Sequence, residues 1–135
     1  MALTPRDVTD TELAILQVLW DRGGATRPQV TESLYPGGGA AQYATVQKLL
    51  ERLEAKGFVA RRRGEGPLTF RATLRREDLL GRRLQDLADQ LCGGSVTPLI
   101  LNLVQSESLT PAELDELRAL IEERRRRPRP KGKSR

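Results

Sequence analysis

The chain has 135 residues, a formal net charge of +5, 38% hydrophobic residues and only 4% aromatic ones. This suits one domain, or one domain with a small appendage, around an aliphatic core. With no His and the single Cys92, the chain can assemble neither an internal disulfide framework, nor a zinc site, nor a Ser–His or Cys–His nucleophile, and no cofactor is expected.

Thr9-Asp10-Thr11-Glu12 forms a capping box, with a Thr N-cap and a Glu three residues on. Leu13, Leu16, Leu19 and Trp20 follow at helical spacing, which predicts a first helix over about 10–21, ended at Gly23-Gly24. Trp20 lies on the apolar stripe and reads as a core anchor rather than a stacking platform. Thr26-Arg27-Pro28-Gln29 repeats the cap pattern, with Pro in the first turn where its missing N–H costs nothing. The second helix is short, about 27–35, with Val30 and Leu34 inward. A loop over 35–39 follows. Ala40 and Ala41 cannot cap, so the next helix is expected to fray at its entry or to start late.

That next helix is QYATVQKLLERLEAKG, Gln42–Gly57. Val46, Leu49, Leu50 and Leu53 recur at i, i+3, i+4, i+7, which makes one buried stripe. Tyr43, Thr45, Gln47, Lys48, Glu51, Arg52 and Lys56 occupy the other face. Gln and Lys can hydrogen-bond base edges, and Thr can pack on a thymine methyl. Gly57 suits a left-handed stop, with Phe58 as the apolar residue that such a cap buries.

After Gly57 the helical stripe disappears. Phe58–Arg63 and Leu68–Ala72 flank the turn Gly64-Glu65-Gly66-Pro67, which predicts a β-hairpin. Arg61, Arg62 and Arg63 on its first strand can meet phosphates, or they can be solvated edge residues that discourage aggregation. Three helices followed by a two-stranded wing make a winged helix-turn-helix, whose third helix enters the major groove. Charge agrees with this. The net is −2 over residues 1–41, +5 over 42–75, −4 over 76–120 and +6 over 121–135, so positive charge gathers at the reading helix, the wing and the tail.

From Arg76 the pattern is helical again. Leu80, Leu84, Leu87 and Leu91 form one stripe, ending at Gly93-Gly94. Thr97-Pro98 opens a further helix, with Thr97 as N-cap, carrying Leu99, Ile100, Leu103 and Val104. Thr110-Pro111-Ala112-Glu113 is another full capping box and starts a helix with Leu114, Leu117, Leu120 and Ile121. About 45 residues are too few to enclose so many aliphatic side chains, so these helices are expected to pack against a second copy, the alternative being that they cover the winged helix of their own chain. The fold class is therefore mainly α with a small β-wing. The expected domains are a DNA-binding winged helix over 1–75, a helical dimerisation domain over 76–123 and a disordered basic tail over 124–135. The chain has no apolar run of the roughly 18 residues that a span needs and no signal pattern in MALTPRDVTD, so a cytoplasmic protein without membrane insertion is expected.

The blocks TDTELAILQVLW, YATVQKLLERLEAKGFVARRR and LQDLADQLCGGSVTPLILNLVQSESLTPAELDELRALIEE resemble the penicillinase-repressor (BlaI/MecI/CopY) family of bacterial winged-helix transcriptional regulators. The resemblance covers about residues 9–123. It implies a homodimer that represses transcription from an inverted-repeat operator in double-stranded DNA. It also implies DNA contacts at the start of the third helix, at Ala44, Thr45, Gln47 and Lys48, with Arg52 toward the backbone. Thr26 and Tyr43 join these and the wing arginines as candidate contacts. The best-known members carry basic residues where this chain has Ala44 and Gln47. The copper-responsive branch ends in clustered cysteines, which RRRRPRPKGKSR lacks. In the antibiotic-responsive branch, a membrane metalloprotease signal leads to a cut after an Asn in a leucine-rich helix; Asn102-Leu103 matches that place, against the alternative of an ordinary helical Asn. A winged helix also serves as a docking scaffold for proteins, or binds nucleic acid without sequence preference, and this is the competing function. Carboxylate pairs such as Asp115-Glu116 read as ordinary helix surface, so no enzyme is expected.

Overall fold

The computed structural model describes residues 8–127. Its elements run α1 (Asp10–Arg22), β1 (Ala25–Thr26), α2 (Arg27–Leu34), α3 (Ala40–Ala55), β2 (Val59–Arg62), β3 (Thr69–Ala72), α4 (Arg76–Leu91), α5 (Thr97–Gln105) and α6 (Pro111–Arg126). The chain divides into two compact units, 1–84 and 85–135.

In the first unit the helices start where their caps require. Thr9 Oγ1 accepts from the Glu12 N–H at 3.2 Å and Glu12 Oε1 accepts from the Thr9 N–H at 3.0 Å. Thr26 and Gln29 repeat this reciprocal pair at 3.2 and 2.9 Å. Gly23, at φ 71°, ends α1. The aliphatic stripe of α3 is buried as its spacing predicts: Val46, Leu49, Leu50 and Leu53 pack with Ile15, Leu16 and Leu19 of α1, Val30 of α2, and Phe58 and Phe70 of the wing. Gly57, at φ 83°, closes α3, and the Phe58 N–H reaches back to the Leu53 carbonyl at 3.0 Å. Phe58 is accordingly buried. Trp20 packs against this core, and its Nε1 donates to the Leu74 carbonyl at 2.8 Å.

Three local expectations change in this unit. α3 begins at Ala40, not late: Gly39 takes the N-cap position without a side-chain bond to the first turn, and Gln42 Oε1 accepts the Gly39 N–H at 2.9 Å. The hairpin gains a third strand: the order is β1-β3-β2, antiparallel throughout, with Ala25 opposite Phe70 and Arg61 opposite the same Phe70. A two-residue strand has no alternation to read, so this edge is invisible in the sequence. The start of α4 also belongs here, since Leu79 is buried in the first core while Leu80 is exposed.

The second unit holds the end of α4 with α5 and α6. α6 opens on the expected capping box of Thr110 with Glu113. Thr97, expected as an N-cap, instead lies inside α5; Val96 occupies the cap without a side-chain bond, and Ser95 Oγ accepts the Thr97 N–H at 3.3 Å. α6 runs through Arg126, so Arg124–Arg126 are helical rather than part of a disordered arm. Arginine is a good helix former, and positive charge at a helix C-terminus meets the negative end of its dipole. The rest of the tail, from residue 128, lies outside the described residues. Neither α5 nor α6 contains a buried residue.

Candidate nucleic-acid interface

At 100° per residue, a helix that turns Val46, Leu49, Leu50 and Leu53 inward must turn Ala44, Gln47, Lys48 and Glu51 outward. Ala44, Lys48 and Glu51 are exposed, and Gln47 is half-buried, with its Nε2 donating to Glu51 Oε2 at 3.4 Å. Tyr43 is exposed on the flank toward α2 and the wing, and Thr45 and Arg52 are exposed on the other flank. The Thr45 hydroxyl donates to the Ala41 carbonyl at 3.0 Å, which leaves its methyl and lone pairs for a ligand. Ala44, Gln47 and Lys48 thus lie on the outward face of α3, with Tyr43 on one flank and Thr45 and Arg52 on the other.

The wing residues are not equivalent. Arg62 and Arg63 are exposed and form no ion pair among the described residues. Arg61 is held by Glu54, its Nε 3.0 Å from both carboxylate oxygens, and lies over the Phe70 ring at 5.8 Å from the centroid. Thr26 is half-buried, and both its hydroxyl and its backbone N–H serve the α2 cap.

Arg27, absent from the residues expected at this surface, is packed beside Tyr43. Its guanidinium lies 5.6 Å from the Tyr43 centroid and 6.0 Å from that of Phe70. Its Nε is buried without a hydrogen-bond partner. These contacts link the N-terminus of α2, the start of α3 and β3. Arg27 sits in a cap motif, so the sequence offered only a first-turn residue; its aromatic neighbours lie 16 and 43 positions away.

Lys56 leaves the surface on which the sequence placed it. Its Nζ meets Glu12 Oε1 at 2.8 Å, with the Glu12 side chain fully buried. Burial pushes the Glu12 carboxyl up; the Lys56 ammonium and the Thr9 hydrogen bonds outweigh it and hold the carboxyl below its ordinary value. This pair ties the C-terminal end of α3 to the first turn of α1. Arg52 is the remaining cation on that flank of α3. Among the described residues no cluster of His, Cys, Asp or Glu is placed to hold a metal ion, and no helix is long and apolar enough to cross a membrane.

A family profile described as penicillinase repressor matches residues 8–123. The methicillin resistance regulatory protein MecI of Staphylococcus aureus (strain N315) is 21% identical over 115 residues, which cover 85% of this chain and 93% of that protein. The penicillinase repressor of Staphylococcus aureus is 20% identical over 121 residues, 90% of this chain and 95% of the relative. That of Bacillus licheniformis is 21% identical over 120 residues, 89% and 93%. The profile runs from the residue before the α1 cap to within the last turn of α6. The chain belongs to the penicillinase repressor family, whose members are transcriptional regulators and not enzymes.

Proposed function

We propose that this chain is a sequence-specific repressor that binds an inverted-repeat operator as a homodimer. The outward face of α3 carries the reading: it presents Gln47, Lys48 and Glu51 beside Ala44, flanked by a basic wing. Gln47 and Lys48 supply donors and acceptors for base edges in the major groove. Arg62, Arg63 and Arg52 supply the sequence-independent attraction to phosphates. An operator with two half-sites needs two such helices at a fixed separation, which a two-fold dimer provides.

The second copy follows from the apolar residues that α4, α5 and α6 leave in water. Leu80, Leu84, Leu87 and Leu91 are exposed on α4. On α5, Ile100, Leu103 and Val104 are exposed and Leu99 is half-buried; on α6, Leu114, Leu120 and Ile121 are exposed and Leu117 is half-buried. So many large apolar side chains left in water call for cover, and a self-complementary interface with a second copy supplies it. Relief of repression fits a cut between Asn102 and Leu103, both exposed on α5, in response to a membrane metalloprotease sensor while the repressor itself stays in the cytoplasm. The cut detaches Val104, Leu114, Leu117 and Leu120 from the DNA-binding unit. A severed monomer then loses the gain from linking two half-sites, on the order of 10²–10⁴-fold.

Selection of duplexes from a random pool, followed by sedimentation of the complex, tests the proposal. We expect an inverted repeat carrying two chains. A single chain per duplex overturns the dimer, and a pool that stays random overturns sequence-specific binding. If inducing conditions free the promoter while the chain stays full length, cleavage is not the signal.

A further inference from the structure

Three consecutive arginines on the wing look interchangeable in sequence, and the fold separates them. Arg61 Nε donates to both oxygens of Glu54 at 3.0 Å, and its guanidinium rests over the Phe70 ring. The side chains remain partly exposed, 44% for Arg61 and 34% for Glu54. Glu54 comes from α3, Arg61 from β2 and Phe70 from β3, so the cluster joins the reading helix to the wing. A guanidinium presents its donors in a rigid planar fork. With Nε engaged by Glu54, the terminal nitrogens of Arg61 are left for a further acceptor, and Phe70 holds the plane in which they lie. The carboxylate also cancels the charge that Arg61 would otherwise offer to any polyanion.

We infer that Glu54 is a specificity-determining positioning residue for DNA binding: it neutralises Arg61 and fixes its direction, so Arg61 strengthens binding only where a phosphate meets the wing in one register. The inference rests on the proposed reading of the chain as a sequence-specific DNA-binding repressor. Non-specific association is driven by charge and counterion release, with the protein free to shift along the duplex. A neutralised Arg61 adds little to it. In a specific complex the reading helix fixes the register, and phosphates come to fixed places beside the wing. A pre-aimed guanidinium then makes its contact without losing further side-chain freedom. Glu54 therefore lowers the affinity for arbitrary DNA more than the affinity for the operator.

The test measures binding of the full-length protein to two probes, poly(dI-dC) and a duplex that the parent selects from a random pool. Glu54→Gln should bind poly(dI-dC) more tightly and with a steeper salt dependence. One further phosphate contact adds about 0.9 to the slope of log K against log salt, so affinity should fall roughly three- to fourfold more than the parent's between 50 and 200 mM salt. The selected duplex should gain less, and the ratio of specific to non-specific affinity should drop. In an Arg61→Gln background the same Glu54→Gln change should have no effect, since its action runs through Arg61. An equal gain in both backgrounds would mean plain repulsion between Glu54 and phosphate and would overturn the inference. So would an unchanged affinity ratio in a Glu54→Gln protein whose circular dichroism matches the parent's. A parent that binds DNA but enriches no sequence overturns the repressor reading itself, and the inference with it.

Discussion

Lys56→Met removes the only cation bonded to a fully buried carboxylate among the described residues, and its cost can be worked from the geometry. Glu12 is wholly buried, and Lys56 keeps 16% of its side-chain exposure. Breaking a buried pair from one side costs about 3–5 kcal/mol. Thr9 still donates its backbone N–H to Glu12, which places the cost near the lower end, at about 3 kcal/mol. With a urea slope of about 1–3 kcal/mol/M, the unfolding midpoint should fall by roughly 1–3 M at neutral pH. Trp20 is the sole tryptophan and is bonded to Leu74 in the same core, so its fluorescence reports the transition. The sign with pH follows from linkage. The Glu12 carboxyl is held below its ordinary value in the folded state, so its contribution is fully present above the ordinary carboxylate range and is lost as pH falls through the folded value. The gap between parent and Lys56→Met should therefore be widest at neutral pH and close in acid. Adding Glu12→Leu to Lys56→Met should recover stability, because an apolar pair replaces an unpaired charge. A midpoint shift of equal size at neutral and acid pH, or a double variant no more stable than Lys56→Met, would refute this reasoning.

Replacing Arg62 and Arg63 by Gln should weaken binding to every duplex alike and flatten the salt slope by about 1.8, two phosphates at about 0.9 each; an unchanged slope would place the wing off the backbone. Leu120→Asp should fold as a protomer, since Leu120 is 55% exposed there, yet a carboxylate forced into an apolar interface should shift sedimentation to the monomer and weaken operator binding. A Leu120→Asp protein that remains a bound dimer would remove α6 from the interface. Gly57→Ala should lower stability by about 1–2 kcal/mol, the cost of a Cβ in the left-handed region, because Gly57 sits at φ 83° with no atom in the way of a Cβ. A thermal midpoint equal to the parent's would mean that the α3 stop is set elsewhere.

Much of the first unit was legible because its signals are local. The Thr9 and Glu12 box, the stripe from Val46 to Leu53 and the stop at Gly57 each lie within a few residues and translate directly into caps, a buried face and a left-handed turn. What escaped is long-range. Glu12 read as a cap residue and Lys56 as helix surface; only the packing of α1 on α3 shows that they complete one buried pair. Arg61 read as one of three, until the hairpin register set it against Phe70 and beside Glu54. Arg27 carried no signal of its own, since the rings that flank it come from α3 and β3. The early start of α3 escaped for a different reason. Gly39 takes the cap position without a side-chain bond to the first turn, and Gln42 accepts its N–H.

Parallel duplex selections with the parent, Gln47→Ala and Lys48→Ala show whether the outward face of α3 reads sequence. The parent should enrich an inverted repeat with half-sites about one helical turn, or a multiple of it, apart. Each variant should keep that spacing but lose preference at one base pair per half-site, with about 1–3 kcal/mol of discrimination gone for a lost bidentate contact. If both variants enrich the parent's sequence with undiminished preference at every position, α3 is not the reading element.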